Sequence, residues 1–129
     1  MNREVIATDG QIKLLPLVEA DKQNYMKLQR EKDEILGVQE ATIEISWMHM
    51  MYNKEKYFSV YDSGGEYCGM AGMDNPDDKF KGVCDSEIWI ELLESKRYQG
   101  IGERVLKLVI DNIYQGQQIE YTSIRFRTK

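Results

Sequence analysis

The sequence is short of the residues that staple, interrupt or charge a chain for special purposes. In 129 residues there are two cysteines, two prolines and one histidine. Cys68 and Cys84 fit neither a CxxC pair nor a metal-ligand spacing, and two thiols cannot build the framework of a small secreted domain. They read as reduced, buried thiols. His49 has no companions with which to hold a metal, so it reads as a solvated surface residue. No run of about 18 apolar residues exists to cross a bilayer. The start, MNREVIATDGQ, has no apolar stretch after its basic residue, as an export signal requires. Positive charge is in deficit as well: the formal charge of −5 and pI near 5.0 exclude a global attraction to nucleic acid or an anionic membrane. The expectation is a soluble, cytoplasmic, metal-free protein in which any anionic ligand is held locally.

What is present is ordinary globular composition, 42% apolar and 30% charged, at a length that suits one domain over residues 1–129. The segment QIKLLPL, residues 11–17, reads as a strand that Pro16 confines to an edge or to a strand end. From Asp21, placed as an N-cap, Tyr25, Leu28, Ile35 and Leu36 mark an amphipathic helix stopped at Gly37. Residues 41–53 fit both periods: Ile43, Ile45 and Trp47 alternate as in a strand, whereas Ile43, Trp47, Met50 and Met51 share a helical face. Length decides for a helix. Two runs, 57–62 and 66–73, flank Ser63-Gly64-Gly65 and predict a hairpin. After an Asn75-Pro76-Asp77-Asp78 loop, residues 83–93 form a strand. Ile101, Val105, Leu108, Val109 and Ile113 then define a helix, and 118–129 a last strand.

Between that fourth strand and the helix lies RYQGIG, residues 97–102. A helix start exposes about four amides without helical partners at the positive end of its dipole, which suits phosphate oxygens. Gly100 and Gly102 remove side chains that would hold a ligand off and allow positive φ. Arg97 and Lys96 add local positive charge to an acidic chain. The motif is not a Walker loop, since no Gly-Lys-Ser or Gly-Lys-Thr occurs. Nor is it a dinucleotide fingerprint, whose third glycine would fall at Val105.

Arg97, Gly100 and Gly102, in the pattern Arg or Gln, two residues, Gly, one residue, Gly or Ala after a strand, resemble the pyrophosphate loop of the GNAT acetyltransferase superfamily. The segment IKLLPLVEADKQNYMKL is similar to that family's first strand and helix, and the hairpin with Gly69 to its second and third strands. The resemblance implies an α+β (mixed α/β) fold. Its central, mostly antiparallel sheet would be flanked by helices and splay after the fourth strand. It also implies acetyl-CoA as acyl donor, held by Arg97, Tyr98, Gln99, Gly100, Ile101 and Gly102, with backbone groups of Leu92 and Leu93 offered to the pantetheine arm. Transfer to an amine would be direct, with an amide near the strand end stabilising the oxyanion.

The protonated amine needs a base, and the resemblance places Glu87 there, with Glu91, four residues further on, pointing to the same strand face. The chain ends before the family's closing helix and last two strands, and Tyr114 and Tyr121 do not match its thiolate-protonating tyrosine. A sheet edge at the last strand would then be open to a second copy of the chain, making a homodimer. The expected acceptor is a small-molecule or protein amine. The competing expectation is a non-catalytic module that binds CoA or a protein with an incomplete acetyltransferase fold. Two other features are weighed as ordinary structure: Met48, Met50, Met51 and Trp47 as core rather than acceptor pocket, and Asp74, Asp77 and Asp78 as a solvated turn rather than a calcium loop.

Overall fold

A computed structural model describes residues 3–36, 40–74, 86–112 and 122–127, and the side chains of 3–31, 40–73 and 88–112. The loop at Asn75–Asp78, the stop at Gly37, Cys84, Ile113, Ile119 and Tyr121 lie outside these residues. Six strands form one sheet in sequence order: β1 (Ala7–Thr8), β2 (Ile12–Pro16), β3 (Tyr57–Asp62), β4 (Tyr67–Asp74), β5 (Ser86–Leu92) and β6 (Thr122–Arg127). The first five pair antiparallel, and β5 with β6 pairs parallel. Three helices complete the fold, α1 (Lys22–Leu36), α2 (Glu40–Tyr52) and α3 (Ile101–Asn112).

The strands fall where alternation and turn residues put them. Pro16 closes β2 opposite Phe58, where the missing N–H costs least. The Asp62 side chain accepts from the amides of Gly64 and Glu66, fixing the turn of the β3–β4 hairpin. The ambiguous segment is helix α2, and burial shows why: Ile43, Trp47 and Met50 are buried while Ile45 is 67% exposed, which a strand with Ile43 and Trp47 inward would not allow. His49 is exposed, as expected.

The sheet buries a different set of side chains on each face. On one, Ile101, Val105, Leu108 and Val109 of α3 pack on Leu14, Phe58, Val60, Ile88, Ile90 and Leu92. Each such aliphatic side chain stabilises the fold by about 1.5–3 kcal/mol. On the other, Tyr25, Met26 and Leu28 of α1 and Ile43, Trp47 and Met50 of α2 cover Tyr57, Tyr67, Met70, Trp89 and Leu93. Alternation along β5 therefore sends Ile88, Ile90 and Leu92 towards α3 and Trp89 towards α1 and α2.

Two expectations need correction. Asp21 does not cap α1. Its carboxylate accepts from Arg3 at 2.8 Å, from the Ser59 hydroxyl at 2.8 Å and from the Tyr61 hydroxyl, and it is 1% exposed. A short 3-10 turn, Glu19–Asp21, leads into the helix instead. The splay expected after β5 is also absent from the described residues: pairing with β6 runs in unbroken register from Ser86↔Thr122 to Glu91↔Arg127.

Candidate functional site

The site grows from the end of β5. Leu92 follows the last residue paired with β6, and it faces Gly69 of β4. The Leu93 amide donates to the Cys68 carbonyl at 2.9 Å, and the Leu93 carbonyl accepts from the Lys96 amide at 2.8 Å. Both backbone groups of Leu93 are thus engaged. Because successive residues of a strand address opposite neighbours, the Leu92 amide is aimed to the β6 side, past the last pair. Gly69 is what lets β4 come so near. A Cβ there would stand 2.0 Å from the Glu91 carbonyl oxygen.

Next comes a single 3-10 turn, Glu94–Lys96, then the glycine loop and α3. The Arg97 guanidinium turns back, donating through Nε to the Leu92 carbonyl at 3.2 Å. Gln99 Nε2 donates to the Ser95 carbonyl at 2.8 Å. Gly100, at φ 79, is the residue before the helix, and its carbonyl accepts the first helical bond from the Arg104 amide at 3.2 Å. A serine or aspartate in this position would give one of the first-turn amides an acceptor from its own side chain. Glycine cannot, so the amides of Ile101, Gly102 and Glu103 have no acceptor among the described residues. A Cβ on Gly100 would meet nothing within 4 Å, so the space beside it is open to a ligand.

Leu92, Arg97, Tyr98, Gly100, Ile101, Gly102 and Glu103 line one cleft of about 430 Å³. Its electrostatics differ from expectation at two points. Lys96 is not free for an anion, because its ammonium is bound to Glu66 at 2.7 Å and to Asp62 at 3.2 Å. Those partners raise the Lys96 pKa, Glu66 first. The Glu66 amide holds the Asp62 carboxyl below its usual range; burial opposes it, and Lys96 adds to the lowering. Glu103 also lines the cleft, so a carboxylate stands beside Arg97 and the helix amides. Only Gly100 of the two loop glycines has positive φ, but Tyr98, with φ 62, shares that conformation.

Seven of the eight cofactor residues expected from the sequence thus fall at the cleft or brace it, and Leu93 sits beside it with its backbone groups satisfied. Glu87 lies in β5 opposite Asp74 and Ser123, its side chain outside the described residues. Glu91 is buried, 6% exposed, and accepts from Gln29 Nε2 at 3.2 Å. Met50 and Trp47 are core, as expected, and Met51 packs against them; Trp47 and Met51 also line, with Met48, Glu19, Lys22 and Glu44, a separate hollow of about 270 Å³. No group of three or more metal-ligating side chains occurs among the described residues, and no described helix is long and apolar enough to cross a membrane.

No family model matches the sequence, and no curated protein matches it. Solved structures do match. A Bordetella pertussis protein assigned to the GnaT acetyltransferase family superimposes with a TM-score of 0.69 at 18% identity, over 89% of this chain and 74% of that one. A Clostridium acetobutylicum protein assigned as an acetyltransferase, solved with acetyl-CoA, gives 0.57 at 9% identity over 92% and 81%. RimL, the ribosomal L7/L12 alpha-N-protein acetyltransferase, gives 0.58 at 17% identity over 88% and 66%. With helices on both faces of a mostly antiparallel sheet and a glycine loop leading into α3, the chain has the GNAT acetyltransferase fold.

Proposed function

We propose that the protein binds acetyl-CoA and transfers its acetyl group to a primary amine of a small molecule or protein by direct attack. The observation that carries this reading is the α3 start. Three first-turn amides lack acceptors among the described residues, beside a glycine with open space and an arginine, at the strand end of a GNAT fold. These groups fit a pyrophosphate. Ile101, Gly102 and Glu103 would bind its oxygens through their amides, and the Arg97 charge would add to the helix dipole.

Acetyl-CoA supplies an acetyl thioester, activated towards amines: as the amine nitrogen bonds to the acetyl carbon the C–S bond would break, and CoA would leave as its thiol after taking a proton from solvent. Leu92 would orient the pantetheine arm through its amide, and the same group type at the strand edge would stabilise negative charge on the carbonyl oxygen during attack. For proton removal from the amine, the two β5 carboxylates are not equivalent. Glu91 is buried and held by Gln29, so we assign the accepting role to Glu87. Its Cα lies roughly 17 Å down the strand from that of Leu92, which sets how far the reacting end must reach.

The second reading, a non-catalytic CoA-binding or interaction module, is favoured by one observation: β6 ends the sheet with no further strand beside it among the described residues, an edge that suits pairing with a second copy. Thiol release from acetyl-CoA with a panel of amines, run beside calorimetry with CoA, separates the two. Turnover with any amine supports the transferase, binding without turnover supports the module, and absence of binding removes both.

A further inference from the structure

Tyr98 is, glycine aside, the only described residue at positive φ, and it is 92% exposed. Both properties are unfavourable for an aromatic residue. A bulky side chain on a left-handed backbone is disfavoured where Gly, Asn or Asp would fit, and strain of this kind persists only where the surroundings impose it. Here they do. On one side, Arg97 is fastened to the Leu92 carbonyl; on the other, Gln99 is fastened to the Ser95 carbonyl and Gly100 begins α3. The ring gains no burial in return. It lies in the wall of the anion cleft, three residues before the first unpaired helix amide.

An aromatic ring projecting beside a phosphate cradle is complementary to a ligand that has a heterocyclic base near its phosphates, because any base can stack on it. We propose that Tyr98 is a stacking platform for the adenine ring of the nucleotide whose pyrophosphate lies on Ile101–Glu103. The ring thereby selects acyl donors that carry an adenosine, as CoA does, over donors that end in phosphopantetheine alone, as acyl groups on carrier proteins do. Because this rests on the CoA reading above, the test separates the two.

Tyr98→Asn removes the ring while keeping a residue that tolerates positive φ, and Tyr98→Phe keeps the ring. Calorimetry on the full chain with CoA, with adenosine 3′,5′-bisphosphate and with 4′-phosphopantetheine reads the effect. The Asn variant should lose about tenfold in affinity for the two adenine ligands and keep its affinity for phosphopantetheine within twofold, with Tyr98→Phe like the wild type. Equal losses on all three ligands would show that Tyr98 acts through the loop conformation and overturn the proposal, as would an unchanged affinity for CoA. A wild-type protein that takes up no CoA would remove the cofactor reading and the stacking role together. Wild-type uptake with an Asn variant that matches it would remove the stacking role only.

Discussion

Gly69 on β4 and Leu92 on β5 are cross-strand partners with no room for a methyl group between them: a Cβ on Gly69 would lie 2.9 Å from the Leu92 Cα, and closer still to the Glu91 carbonyl. The backbone cannot yield there as a side chain would. Gly69→Ala should therefore push β5 away and lower stability by about 3 kcal/mol, at the upper end of what overpacking costs. Urea denaturation measures the loss, and a variant as stable as the wild type would show that the strands are less closely held.

At the loop the two glycines separate conformation from access. Gly100→Leu places a side chain at φ 79 and should cost about 1–2 kcal/mol while abolishing CoA binding with the circular dichroism spectrum retained. Gly102 is helical, so Gly102→Leu should leave stability unchanged or raise it by up to about 0.8 kcal/mol, yet still weaken binding. Unaltered CoA affinity in both variants would remove the anion site.

The two β5 carboxylates make opposite predictions. Glu87→Gln should lower kcat about 100-fold or more at neutral pH if it receives the amine proton. Glu91→Ala should instead leave Gln29 without a buried acceptor and cost about 1–3 kcal/mol of stability. Turnover numbers alongside melting curves distinguish them, and a larger kcat loss in Glu91→Gln than in Glu87→Gln would transfer the role.

Asp21 is a buried charge that is fully engaged. Removing it in Asp21→Ala leaves Arg3 without its carboxylate partner and should destabilise the fold by about 3–5 kcal/mol. Chemical denaturation tests this, and a loss below 1 kcal/mol would mean that solvent already reaches the cluster.

The Asp62–Lys96–Glu66 contacts brace the hairpin against the turn before the loop. Asp62 has its pKa lowered, so it adds stability above its ordinary value of 3.8, lost as pH falls through the folded value. Lys96 has its pKa raised, so its share is complete below 10.5 and is lost only as pH rises through the folded value. Stability from this brace should be flat between those limits. Asp62→Asn should flatten the acid limb of the melting temperature against pH, an effect weakened by 1 M salt.

Much of this was legible in the sequence because it depends on local period and punctuation. The β3–β4 hairpin announces itself through Ser63-Gly64-Gly65, and α3 through Ile101, Val105, Leu108 and Val109. The glycine loop that opens α3 could be placed because glycine before a helix has a direct chemical meaning. What escaped depends on distant partners. Asp21 resembles an N-cap until Arg3, Ser59 and Tyr61 arrive from elsewhere in the chain to claim its oxygens. Lys96 looks like a phosphate ligand until the hairpin supplies Glu66 and Asp62. The strand β1, two residues long, has no period to read, and the backbone of Tyr98 carries no compositional mark at all.

The one parallel pairing among the described residues, β5 with β6, has a consequence for assembly during synthesis. Strands β1 to β5 each add antiparallel to the one before, so a nascent chain can build them in the order it leaves the ribosome. β6 must travel back the length of the sheet by way of α3 before it can join, a non-local closure that is slow to form. The loop at 97–102 lies within that return path, so a ligand that bound there would favour the finished topology over its precursor.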